Sequence, residues 1–285
     1  MMCPDKEAPI QEHLIELLER LRRILIALMI SSIIFSFSPD PSYLSRSGVA
    51  YKPLVLSLVE RVREDMGNLN NPVVRPLASL LGIRDLKLEL IAYSWLDSLE
   101  VIFLLSFLLG FTIASPYIAK QIYDFVEPAL IDREKRVLIP FVLGFTLLFA
   151  SGVAYTYFII MPLTILFLSY IYILSGIKLV FSLNEFFSFI IAGLLIGGLF
   201  FTFPLIAAVI SYLGILPPSS LRKNWRYVFF ITAVITAILT PDPTPVSMTL
   251  LSLPFLTLYW LSYILSKRFY RIGARTFSSE MNGKV

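Results

Sequence analysis

Residues 137–177 read VLIPFVLGFTLLFASGVAYTYFIIMPLTILFLSYIYILSGI, with no charged side chain between Arg136 and Lys178. A helix needs about 20 apolar residues to cross about 30 Å of hydrocarbon, so this stretch is long enough for one span and more. The intervals from Glu100 to Lys120 and from Glu185 to Arg222 are equally free of charge. Between Arg226 and Lys267 only Asp242 interrupts. A soluble core would need charges along the outer faces of its helices. Hydrophobic residues make up 57% of the 285, against about 45–50% in soluble domains. The expected class is an all-α integral membrane protein.

The opening stretch is too long for one span. Pro162 is expected to break it, giving a span at 138–161 and a helix or surface cap over 163–183. Upstream, a span at 98–115 is expected to stop at Pro116, followed by a polar connector over 117–137. A short span at 24–38 is expected to stop at Pro39-Asp40-Pro41. It is preceded by an amphipathic helix over 8–23, with Ile10, Leu14, Leu17, Leu18 and Leu21 on one face and Glu12, Glu16, Glu19, Arg20, Arg22 and Arg23 around the rest. That pattern fits a helix lying in the membrane interface. Residues 39–96 form one polar extracytoplasmic loop region containing a Val55–Met66 helix and a turn cluster at Asn68–Pro72.

Downstream, spans are expected at 186–213, 228–239 and 246–265. A basic connector from Arg222 to Arg226 separates the first two, and the turn Thr240-Pro241-Asp242-Pro243-Thr244-Pro245 separates the last two. Six spans put both termini on one side. The segments on that side carry 16 Lys and Arg against 8 opposite, seven of which lie in the long 39–96 loop. Long loops weigh little in orientation, so both termini are expected in the cytoplasm. The net charge of +4 then reflects this bias rather than nucleic-acid binding. Twelve residues, as in span five, reach only about 18 Å. Such short helices would thin the local bilayer.

Several classes are disfavoured by absence. A lone Cys3 forms no internal disulfide. Residues 5–23 carry nine charges and do not look like a cleavable signal peptide. No GxxxxGK[ST] loop offers an ATP site. His13 is the single histidine, so no HExxH zinc site exists. No metal or cofactor is expected. A small-solute transporter would need ionisable groups at mid-membrane, and the span centres have none. A membrane enzyme would need a nucleophile–base pair, and none stands out. Gly193 and Gly197 form a GxxxG that lets helices approach closely. Pro140, Pro162, Pro204 and Pro254 would curve spans into a concave face.

Two carboxylates lie at the cytoplasmic edge. Glu16 could simply pair with Arg20 at i, i+4, worth about 0.3 kcal/mol. Glu134, in Asp132-Arg133-Glu134-Lys135-Arg136, could be a solvated loop charge. Alternatively both face a cationic peptide, preferentially arginine, whose planar guanidinium pairs two-pronged with carboxylate.

The segment His13-Leu14-Ile15-Glu16-Leu17-Leu18-Glu19-Arg20-Leu21 resembles the HLxELxxRL motif of the TatC family of twin-arginine translocase proteins. Pro116 to Leu130 followed by Glu134-Lys135-Arg136 resembles that family's first cytoplasmic loop, PxxxxQxWxFxxPxL…E[KR]R. Leu221-Arg222-Lys223 resembles the second. Leu239-Thr240-Pro241-Asp242-Pro243 with Ser247 and Leu250 to Pro254 resembles the turn TPxDxxSQxLLAxP. The matches cover nearly the whole chain in order. The resemblance implies a glove-shaped six-helix bundle in the cell membrane that binds twin-arginine signal peptides of folded cargo. It implies TatA-type and TatB-type single-span partners, membrane lipid, homo- or hetero-oligomers, and use of the proton-motive force. Carried over by motif, Glu16 and Glu134 contact the arginine pair, with Arg20, Phe125, Lys135 and Arg136 in the same patch. Pro53 matches a proline of the first outer loop, and Asp242 the acid of the last outer turn.

The chain departs from the pattern at four places. Leu18 stands where many members have a basic residue, and Tyr123 replaces a tryptophan. Thr202, beside Pro204, stands where many carry a polar or acidic group. Trp260 occupies a position where glutamate is common. A hydroxyl at Thr202 is expected to bond a neighbouring helix. The outer loop is also longer than usual.

Overall fold

The computed structural model describes residues 10–41, 51–69, 71–83, 88–126, 138–176, 180–212, 217–239 and 245–282. Helix α1 runs from Ile10 to Ser36 without interruption. The interfacial helix and the short first span expected from sequence are therefore one rod. No Gly or Pro lies within it, and its Leu, Ile, Arg and Glu residues propagate a helix readily. At 1.5 Å per residue it is about 40 Å long, so the thinning argument does not apply to it. It ends just before Pro39-Asp40-Pro41, as expected.

Helix α2 (Leu54–Gly67) and α3 (Arg75–Leu80) follow, then strand β1 (Glu89–Ile91). Helix α4 (Asp97–Val126) runs straight through Pro116. The expected stop there is corrected. Proline removes the N–H that would bond the carbonyl of Thr112, but Ser115 Oγ donates to that carbonyl at 2.8 Å. The same happens in the next span. Helix α5 (Leu138–Tyr155), a π turn (Thr156–Ile160) and α6 (Met161–Leu174) form one continuous run through Pro162. Pro162 leaves the carbonyl of Phe158 without its helical donor, and Asn71 Nδ2 approaches it at 3.5 Å. The wider π turn shifts the backbone register just before the proline, which then sits in the first turn of α6, where a missing N–H is harmless.

Strand β2 (Val180–Ser182) leads into α7 (Leu183–Tyr212), and α8 (Pro218–Lys223), α9 (Trp225–Leu239) and α10 (Pro245–Asn282) complete the order. The tail expected after residue 265 is helical. The all-α expectation needs one amendment. β1 and β2 pair in parallel, Glu89 with Val180, Leu90 with Phe181 and Ile91 with Ser182, because extended backbone outside the helices must satisfy its own polar groups. Among the described residues, Asp97–Phe125, Ile139–Leu174 and Leu183–Tyr212 are long and apolar enough to cross a membrane, and Trp225–Ala237 is a shorter apolar helix.

Close helix approach holds the bundle together. A Cβ on Gly193 would collide with Met161 Cε, and one on Gly197 with Thr156 Oγ1. The GxxxG pair therefore packs α7 against the π turn and α6 within one chain. In lipid, where apolar burial drives little, such dispersion contact matters most.

One end of the bundle carries a cap. Met66 and Val62 of α2 sink into a cluster with Val101, Ile165 and Phe187. Pro39 and Pro53 form an isolated antiparallel bridge that closes the base of the segment between α1 and α2. Buried Asp40 accepts a bond from Ser57 Oγ. Pro53 takes the N-cap position of α2. Two further bonds tie the cap to the span beneath. Tyr157 Oη donates to Asp65 Oδ2 at 2.5 Å, and the Asn71 bond to Phe158 is the second.

Candidate functional site

The polar end opposite the cap is built by α1 and α4. Leu28, Ala114 and Ile118 pack together with Ile24 and Ile122 at their edge. A Cβ on Gly110 would meet Ser32 Oγ at 2.8 Å. Ser32 near Gly110, Leu28 near Ala114 and Arg20 near Asp124 show that the helices run antiparallel. That arrangement carries the charged first turns of α1 to the last turn of α4.

There Arg20 bridges two carboxylates. Its Nε and Nη2 donate to Glu16 Oε1 at 3.0 and 2.5 Å. Its Nη1 lies 3.8 Å from Asp124 Oδ2. The Glu16–Arg20 pair anticipated from i, i+4 spacing is therefore formed. Both of its bonds fall on one oxygen of Glu16, which leaves the other for a further donor among the described residues. The Arg20 side chain is 18% exposed, Glu16 35% and Asp124 24%. Two carboxylates thus share one guanidinium, while Glu19, Arg22, Arg23 and Lys120 lie on the same turns of α1 and α4. Charges interact more strongly at such a half-buried edge than in bulk water.

Phe125 follows directly and is 38% exposed. Tyr123 turns the other way. It is buried against Phe141, ring centroids 6.0 Å apart. The tryptophan-to-tyrosine exchange thus concerns core packing, not the charged edge. Glu134, Lys135 and Arg136 lie outside the described residues, as does Asp242.

Two residues of this stretch are not singled out by sequence. Asp124 becomes visible as a site residue only when antiparallel pairing brings it to Arg20. Gln121 is buried, and its Oε1 has no hydrogen-bond partner among the described residues. The signal for both was their place in the 116–130 stretch, read there as motif rather than as chemistry.

Mid-bundle positions are quieter. Thr202 is buried, and its hydroxyl donates to Leu199 O of its own helix at 2.7 Å. The expected bond to a neighbouring helix is corrected, because the carbonyl one turn back is nearer and competes for the same proton. Pro204 is buried within α7. Phe203 lies beside Tyr259 at 6.2 Å, and Tyr259 Oη donates to Leu221 O, tying α10 to α8. Trp260 is half exposed and meets Tyr263 edge-on. Among the described residues no group of three or more His, Cys, Asp and Glu is placed to hold a metal ion.

Long apolar helices, close glycine-mediated packing and charge held to the two ends of the bundle define a polytopic helical membrane protein. The chain belongs to the TatC family: the family model for Sec-independent protein translocase protein (TatC) matches residues 12–254. It is 33% identical over 184 residues to the TatC of Deinococcus radiodurans, covering 64% of this chain and 67% of that protein. It is 26% identical over 269 residues to the TatC of Escherichia coli K12, covering 94% and 92%. The crystal structure of the twin-arginine translocase receptor TatC superposes with a TM-score of 0.70 at 30% identity, covering 90% of this chain and 99% of that one. The chain is thus a membrane protein of Sec-independent protein transport.

Proposed function

We propose that this chain is the receptor for twin-arginine signal peptides and nucleates the translocation site with TatA-type and TatB-type single-span partners. The work is recognition, not catalysis. The observation that supports it is Glu16 held half-buried at this edge, with Arg20 bonded to only one of its two oxygens and Asp124 beside the pair. An incoming guanidinium takes the oxygen of Glu16 that Arg20 leaves open, or displaces Arg20 and pairs with both oxygens. Glu134 supplies the second carboxylate, and Phe125, Lys135 and Arg136 flank the peptide. Asp242 belongs to the last outer turn.

In this reading α1, α4, the α5–α6 run, α7, α9 and α10 are six spans of the cell membrane, with both termini cytoplasmic by the positive-inside bias. The capped end faces outward. Helix α9, at 15 residues, reaches only about 22 Å and thins the bilayer locally. The proton-motive force drives transport.

The test is site-specific crosslinking of a twin-arginine peptide to the purified chain in vesicles. Glu16→Ala and Glu134→Ala each abolish the crosslink. A twin-lysine peptide crosslinks weakly to the unaltered chain, because an ammonium cannot make the two-pronged contact. Undiminished crosslinking in both variants would overturn the assignment.

A further inference from the structure

The segment entering α4 carries the largest exposed aromatic side chains of the capped end. Trp95 is 90% exposed and Tyr93 77%. They do not sit on a loose loop. Buried Asp97 accepts bonds from the backbone N–H of Tyr93 at 2.8 Å and of Ser94 at 3.0 Å. Leu96 N donates to Ser94 Oγ at 3.3 Å, and Glu100 N to Leu96 O at 3.0 Å. The turn is therefore held rigidly while its rings project outward.

Below it, Leu99 and Phe103 of α4 are exposed four residues apart and form one stripe on the helix that the turn enters. The stripe is apolar, while Trp and Tyr are apolar bodies with one polar atom each. That chemistry matches the zone where hydrocarbon gives way to headgroups. Length agrees. Asp97–Phe125 spans 29 residues, about 43 Å, close to the about 40–45 Å of a bilayer with its headgroup layers. With Asp124 and Arg20 in one headgroup layer, Trp95 falls in the other.

We propose that Tyr93 and Trp95 form a rigid anchor in the outer headgroup layer, and that this anchor sets the depth of α4 and so the level at which the Glu16 edge meets the opposite surface. The inference rests on α4 being a membrane span and is independent of peptide recognition.

The chain has three tryptophans, so Trp225→Phe with Trp260→Phe leaves Trp95 as sole reporter. The full-length variant is placed in phosphatidylcholine vesicles containing lipids brominated either near the headgroup or near the chain end. Trp95 emission is blue-shifted from that in water, and headgroup-proximal bromine removes more of it than chain-end bromine does. In the otherwise unaltered chain, Trp95→Phe removes that headgroup-sensitive fraction of the emission and leaves the rest. Full quenching by aqueous acrylamide with no loss to either lipid overturns the proposal. So does insensitivity to both acrylamide and lipid, which would mean that a second copy or another protein covers the ring. Stronger loss to chain-end bromine overturns it as well. No peptide enters the experiment, so its failure and that of the receptor reading are separate.

Discussion

The two ends of this bundle solve opposite problems. At the capped end polar groups are matched: Asp65 accepts the hydroxyl of Tyr157, Asn71 serves the carbonyl that Pro162 abandons, and Asp40 is bonded by Ser57. At the other end the groups are mismatched in number, with Glu16 and Asp124 sharing one Arg20. Matched bonds stabilise, because a buried group left alone costs about 1–3 kcal/mol. An exposed or half-exposed ion pair stabilises little, about 0–1 kcal/mol, but a leftover charge can bind. In the proposed reading, the difference separates a part that holds shape from a part that a peptide occupies.

This contrast can be broken by substitution. The largest effect is expected from Glu16→Ala, which removes the peptide crosslink while shifting the unfolding free energy in detergent by less than about 1 kcal/mol. Asp124→Asn removes one negative charge beside Arg20 without altering shape. It weakens peptide binding several-fold, read from the crosslink titration, and the loss shrinks at high salt because the contribution is electrostatic. At the capped end Tyr157→Phe strands Asp65 and lowers stability by about 1–2 kcal/mol, visible as a lower thermal midpoint, with crosslinking unchanged. Asn71→Ala has the smallest effect, about 0.5–1 kcal/mol, since its bond to Phe158 is long and the one it accepts from Val73 N is local to the turn. A capped-end variant that lost peptide binding at normal stability would dissolve the distinction.

How much of this could be read from the chain alone divides along the same line. The uncharged stretches made the apolar helices plain, and α1 does end before Pro39 and Pro41, where the chain turns into the bridge with Pro53. The stops expected at Pro116 and Pro162 failed because the carbonyl four residues back finds another donor, Ser115 in one case and Asn71 in the other, and because the π turn places Pro162 in a first helical turn. Ser115 is adjacent and could have been noticed. Asn71 comes from a distant segment and could not. The β1–β2 pair and the role of the long loop as a braced cap depend on contacts across roughly half the chain's spans. Asp124 was hidden likewise, since its partner Arg20 is brought to it only by antiparallel packing. Glu16 was readable, because its neighbour lies on the same helix at a spacing that geometry alone dictates.

The strand pairing carries a consequence for the order of assembly. Glu89 and Val180 are 91 positions apart, and chains are made at about 5–20 residues per second, so β1 emerges about 5–18 s before β2 exists. In the proposed topology, α4 and the α5–α6 run are threaded into lipid during that interval while the first half of the cap waits on the far side, its strand edge unpaired. Closure of the cap is therefore a late event in biogenesis, and it reports that the spans between its halves have been inserted in the right sense.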